Sequence, residues 1–160
     1  MSKAVEYFEN IQKIDLQKEF TDNHITKIYL GNKLIETPEG KTRVICVVIK
    51  GTDGSKKEWA SNFDIGDGEK NNEYTPENHR GHDITAQRVL EKINSYTALF
   101  DDSSAKNALW ITGHSRGGSI ANICGSKLTN MGEKCFVYTF GASMTTTSSK
   151  ANKYDCIFNF

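Results

Sequence analysis

Residues 110–119 read WITGHSRGGS. Gly113 to Gly117 fit G-x-S-x-G, the pattern of a nucleophile elbow. The flanks decide its meaning. Residues 107–112, NALWIT, form a short apolar strand. After the pentapeptide, Ile120, Ile123, Cys124, Leu128 and Met131 recur at helical spacing over residues 119–131. A sharp strand-to-helix reversal pushes the Ser115 side chain out of the sheet, which makes it the candidate nucleophile. Gly113 and Gly117 remove side chains where the chain passes close to itself, and Gly118 lets the helix approach the next strand. The first amides of a helix lack backbone partners, so the Arg116 N–H is a candidate oxyanion donor.

Working outward, residues 43–49, RVICVVI, form an apolar, β-branched run that predicts a strand buried on both faces. Residues 135–140, CFVYTF, predict another strand, and 154–160 begin a further one. Ala86, Val89, Leu90, Ile93, Tyr96 and Phe100 predict a helix over 83–100, capped by Asp83 or Thr85. Trp59 and Phe63 fit a short helix. Strands alternate with helices from residue 43 onward, which predicts an α/β fold with a mainly parallel sheet. Upstream, Ala4, Val5, Phe8 and Ile11 predict an amphipathic helix over 3–14. A second turn or helix follows near Leu16 to Phe20, and a strand or hairpin over 26–36 closes a 1–42 N-terminal region. Residues 64–78, DIGDGEKNNEYTPEN, are polar and turn-rich: a surface loop, either an irregular connection or a lid.

The 160 residues suit one domain. Twenty basic residues balance twenty acidic ones with no dense basic run, so nucleic acid is not an expected partner. No transmembrane or signal segment is evident, and cytoplasmic placement is the default expectation, compatible with a processed secreted form. Cys46, Cys124, Cys135 and Cys156 are widely spaced and predict buried free thiols. Metal-ligand and phosphate-loop spacings are missing, so no metal and no cofactor is assigned.

Several motifs in order resemble the class 3 lipases, the fungal-type triacylglycerol lipases and their bacterial relatives. Residues 111–128, ITGHSRGGSIANICGSKL, look like that family's elbow and following helix. Residues 47–63, VVIKGTDGSKKEWASNF, resemble its strand, oxyanion loop and tryptophan segment. HRGHDITAQRV at 79–89 and FVYTFGAS at 136–143 resemble its histidine–glycine segment and the strand after the elbow helix. The resemblance implies an α/β-hydrolase fold and hydrolysis of carboxylic esters, acylglycerols among them, by a serine, histidine and aspartate triad. It places Ser115 as nucleophile and Thr52 in the oxyanion hole, with the Thr52 hydroxyl either fixing the loop or joining the hole. His114 falls on a structural histidine. Three positions depart from the family. Asn62 replaces an aspartate that would anchor its segment. His82 replaces an aromatic residue. Arg116 replaces an apolar residue, which predicts an altered charge at the pocket rim.

A serine hydroxyl needs a base, and the base an orienting group. In this topology the order is serine, acid, histidine. The four histidines, His24, His79, His82 and His114, all precede Ser115. His79 and His82 are the candidate surrogate bases, ahead of His114, and Asp155 lies too early for the family's acid. The expectation is a C-terminally incomplete, partial α/β-hydrolase domain that carries the nucleophile side and is impaired by itself. A non-catalytic binding module on the same fold is the alternative. An unpaired sheet edge predicts self-association.

Overall fold

The computed structural model describes residues 4–52, 54, 56–66, 74–100, 104–149 and 151–160. Six strands lie side by side in chain order: β1 (Glu9–Asp15), β2 (Lys27–Thr37), β3 (Gly40–Ile49), β4 (Lys106–His114), β5 (Cys135–Phe140) and β6 (Ile157–Asn159). The pairs β1–β2 and β2–β3 are antiparallel, while β3 to β6 run parallel. The sheet is therefore an antiparallel hairpin region joined to a parallel half. Helices α1 (Ala4–Tyr7), α2 (Lys56–Asn62), α3 (Arg80–Thr97) and α4 (Arg116–Asn130) complete the described elements of four or more residues. This is a partial α/β-hydrolase-like fold.

The pleat sorts the side chains. On one face, Ile45 and Val47 of β3 align with Leu109 and Ile111 of β4, and these with Cys135 and Val137 of β5. All six are buried. They join Ala86, Val89, Leu90 and Ile93 of α3 and Ile120, Ile123, Cys124 and Leu128 of α4 in a single core. At about 25 cal/mol per Å² of apolar surface, this layer is the main source of stability. The other face is different. Val48, Trp110, Phe136, Phe140 and Phe158 are all at least 38% exposed. So β3 is covered on one face and only partly on the other, contrary to the expectation from its unbroken apolar run.

The N-terminal segment departs most from its expectation. Only Ala4–Tyr7 is helical, and Glu9–Asp15 pairs with β2 through an irregular register between Glu9 and Gln12. Asn10 takes a left-handed φ of 51° at that irregularity. Phe8 and Ile11 serve the sheet rather than a helix stripe. A side chain on Gly31 would meet Phe8 Cβ at 3.0 Å and Ile11 Cγ1 at 3.5 Å. Phe8 also reaches Trp110, with ring centroids 6.3 Å apart.

The helix expected from 83 begins three residues earlier, because His79 is its N-cap: Nδ1 accepts from the His82 N–H. Asp83 and Thr85 therefore do not cap it. Asp83 is fully buried and paired with Lys127 Nζ of α4 at 2.6 Å. Its other oxygen accepts from Thr75 N and the Asn78 side chain. Within the polar stretch 64–78, residues 67–73 lie outside the described residues. Its two ends are anchored, with Tyr74 buried and Asp64 held by Arg80.

Candidate active site

Strand β4 ends at His114 and α4 starts at Arg116, so the reversal is confined to Ser115. Its φ of 53° and ψ of −128° lie where a side chain is strained, at a cost of about 1–3 kcal/mol. Three hydrogen bonds hold that conformation. Ser115 N donates to Phe140 O at 2.9 Å, and Ser115 O accepts from Gly118 N at 2.8 Å and Ser119 N at 3.1 Å. Crowding explains the glycines on either side. A Cβ on Gly113 would stand 2.3 Å from Gly117 O, and one on Gly117 would stand 2.3 Å from Ile49 O. Gly118 is nearly as tight, 3.1 Å from Ala142 Cβ.

Ser115 is half-buried, and its hydroxyl makes no capping bond to the helix it begins. The Arg116 N–H, at the first helical position, has no partner within the helix. The loop after β3 closes on this corner: a Cβ on Gly51 would lie 2.8 Å from His114 O. Thr52 follows directly. Its hydroxyl oxygen accepts from Asn62 Nδ2 at 3.0 Å. The amide at 62 thus anchors the segment without a carboxylate, correcting the expectation that the anchor is lost. Because the amide donates, the Thr52 hydroxyl keeps its own proton to give.

The Arg116 side chain is not at a rim. It is 1% exposed and runs beneath the elbow. Nη1 donates to Ile25 O at 2.7 Å, and Nη2 donates to Ser61 Oγ and Thr85 Oγ1, each at 3.1 Å. Burial lowers its pKa to about 10, partly offset by the buried Glu58 carboxylate. One guanidinium therefore ties the start of α4 to α2, α3 and the entry to β2. Neither Glu58, Ser61 nor Thr85 is marked by a local motif. The departure of Arg116 from an apolar family residue was the available signal.

The four histidines divide by what their rings touch. His79 Nε2 donates to Asn62 O at 2.9 Å while Nδ1 caps α3, so both nitrogens are engaged. His82 is 2% exposed and stacks on His79 with centroids 3.7 Å apart. Neither of its nitrogens has a partner among the described residues. Burial, then His79 and Arg116 nearby, drop its pKa to about 3, so the ring is neutral. His24 lies between Ser61 Oγ at 3.4 Å and Asp64 Oδ2 at 3.5 Å, with its pKa lowered mainly by burial. His114 is exposed, its ring set between Gly51 and Gly141. Among the described residues, none of these rings hydrogen-bonds the Ser115 hydroxyl. Asp155 is exposed beside β6. A cavity of about 950 Å³ lies between α4 and the segment 141–149, with Asn78, Asn122, Lys127 and Tyr154 in its walls. Ser115 and Thr52 are not among them.

A strand-to-helix elbow on a partly parallel sheet defines an α/β-hydrolase-type domain. The sequence model of the lipase (class 3) family matches residues 46–159, and the chain belongs to that family. No curated protein sequence matches. Among solved structures, a Rhizomucor miehei triacylglyceride lipase aligns at 19% identity with a TM-score of 0.64, covering 94% of this chain and 54% of that one. A Penicillium expansum triacylglycerol lipase aligns at 16% identity and TM-score 0.56, covering 99% and 61%. The Lip2 lipase of Yarrowia lipolytica aligns at 21% and 0.53, covering 91% and 51%. These likenesses share the fold, and the chain spans little more than half the length of such relatives.

Proposed function

We propose that this domain is the nucleophile-bearing part of a serine ester hydrolase, acting on lipid or acylglycerol esters. The observation that carries the proposal is the strained Ser115, held by three backbone bonds while its hydroxyl makes no bond to the helix it begins. A triacylglycerol lipase sharing this fold at 19% identity is described as having a catalytic centre formed by a serine protease triad. In the proposed reaction, Ser115 Oγ attacks the ester carbonyl. The N–H groups of Arg116 and Thr52 receive the oxyanion, the alcohol leaves, and water releases the acyl group. The histidines serve structure in this scheme. Among the described residues no histidine is in place as the base for Ser115. The chain by itself then turns over little.

That division of labour is testable by chemical rescue. Imidazole in solution should accelerate hydrolysis of a short-chain aryl ester by the protein, beyond the rate of imidazole with Ser115→Ala. Equal rates for the two proteins at every imidazole concentration would contradict the proposal. They would favour the second assignment, a binding module on a lipase-like fold, which the engagement of both His79 nitrogens in the structure also fits.

A further inference from the structure

Two thiols converge on one hydroxyl at the edge of the sheet. Thr129 of α4 lies 3.3 Å from Cys135 Sγ and 3.2 Å from Cys156 Sγ through its Oγ1. That hydroxyl donates its proton to Gly125 O at 2.8 Å, so towards both sulfurs it is an acceptor. Cys135 Sγ also donates to Gly125 O at 3.6 Å, so both sulfurs, the Thr129 hydroxyl and one carbonyl crowd the same small space. Their backbones are equally close. Val137 pairs with Ile157, and Val137 N donates to Cys156 O at 2.8 Å. Cys135 stands two residues before Val137 and Cys156 one residue before Ile157. The strand spacing and rise then put their Cα atoms about 6 Å apart, inside the span a disulfide bridges. Cys156 is half-buried at the edge and Cys135 is buried behind it. The other two thiols are placed differently. Cys124 Sγ turns to Ala86 O of α3 at 3.6 Å, and Cys46 is buried on β3.

We propose that Cys135 and Cys156 form a redox-responsive pair, closed to a disulfide by a peroxide, which staples the edge strand β6 to β5. The order of events follows exposure. The Cys156 thiol, deprotonated, attacks the peroxide O–O bond; one water leaves and Cys156 becomes a sulfenic acid. The Cys135 sulfur then attacks the Cys156 sulfur, an S–S bond forms, the S–O bond breaks and a second water leaves. In sum, two thiols give up two electrons and two protons, and hydrogen peroxide is reduced to two waters. The burial that raises the Cys135 pKa makes the second step the slower one. The staple matters mechanically because β6 is only three residues long and pairs with β5 alone among the described residues. This proposal is independent of the hydrolase assignment.

The test uses the folded protein exposed to hydrogen peroxide. It is then alkylated in denaturant, digested without reduction and mapped by mass spectrometry. The expected product is a peptide pair joining Cys135 to Cys156, two hydrogens lighter than the sum of its parts, released by dithiothreitol. Cys46 and Cys124 should carry the alkyl group. Oxidation should raise the melting temperature of the native protein by several degrees and leave that of Cys135→Ser or Cys156→Ser unchanged. Three results would overturn the proposal: a sulfinic acid at Cys156 without a cross-link, a cross-link to Cys46 or Cys124, or four alkylated thiols after exposure that oxidises a free cysteine peptide.

Discussion

The elbow and the polar layer directly beneath it treat polar groups in opposite ways. At the elbow, Ser115 is bent into a strained conformation and its hydroxyl makes no bond to the helix it begins. Beneath it, Arg116, His79, Ser61, Thr85 and Asp83 are bound to one another or to backbone, largely out of contact with water. The two regions are separated by one residue: Arg116 offers its amide upward and buries its guanidinium downward. Reactivity at one level thus depends on immobility at the other. A group that is free in the upper layer is available for chemistry, while an unpartnered group in the lower layer is a source of instability.

His82 is such a group, and it gives the largest expected effect. Its folded pKa is depressed to about 3 from 6.5, so the unfolded chain takes up a proton that the folded chain refuses. Its neutral form is compatible with the fold above pH 6.5, and stability is lost as the pH falls from there toward 3. The loss over that window is roughly 4–5 kcal/mol. Urea unfolding across the window should show that slope in the native protein and a much shallower one in His82→Phe, which keeps a flat ring against His79. Equal slopes would mean that His82 does not set the acid limit.

Removing the tie between the layers ranks next. Arg116→Met should destabilise by about 3–5 kcal/mol, the usual range for breaking a buried ion interaction while its counter-charge stays. Adding Glu58→Gln should recover a substantial part, because it removes the carboxylate whose field the guanidinium balances. If the double variant is no more stable than the single one, packing rather than charge accounts for the loss. A smaller loss, about 1 kcal/mol, is expected from Asn62→Ala, which deletes the bond to Thr52. Hydrogen exchange of the loop around Thr52 should accelerate in that variant, with the core strands unchanged. The smallest effect has the opposite sign. Ser115→Gly should stabilise by about 1 kcal/mol, since glycine accepts the strained φ without penalty. A loss of stability there would remove the argument that the elbow stores strain.

These layers differed in how far they could be read from sequence. The elbow was legible because its demands are local: a strand, three close approaches that exclude Cβ atoms, and a helix. Strand β5 falls on its expected residues for the same reason, an unbroken β-branched and aromatic run. In the N-terminal region Ala4, Val5, Phe8 and Ile11 satisfy a helical period, yet pairing with β2 and cover for Gly31 decide the outcome through contacts distant in sequence. The polar layer was nearly invisible. Arg116 bonds to residues 91, 55 and 31 positions away, and arginine by itself predicts exposure. Asn62 stands out in the sequence as a departure from the family, but the bond of its amide to Thr52 is a matter of three-dimensional geometry.

The central claim is that Ser115 is the nucleophile and that His24, His79 and His82 are committed to structure. Mapping a fluorophosphonate adduct by mass spectrometry, with labelling rates for single His24→Asn, His79→Asn and His82→Asn variants, addresses both halves at once. The adduct should sit on Ser115, form slowly, vanish in Ser115→Ala, and change by no more than about threefold in any histidine variant that remains folded, a shift below 1 kcal/mol. No adduct at Ser115 in the folded protein, or a folded histidine variant that abolishes labelling, would contradict it.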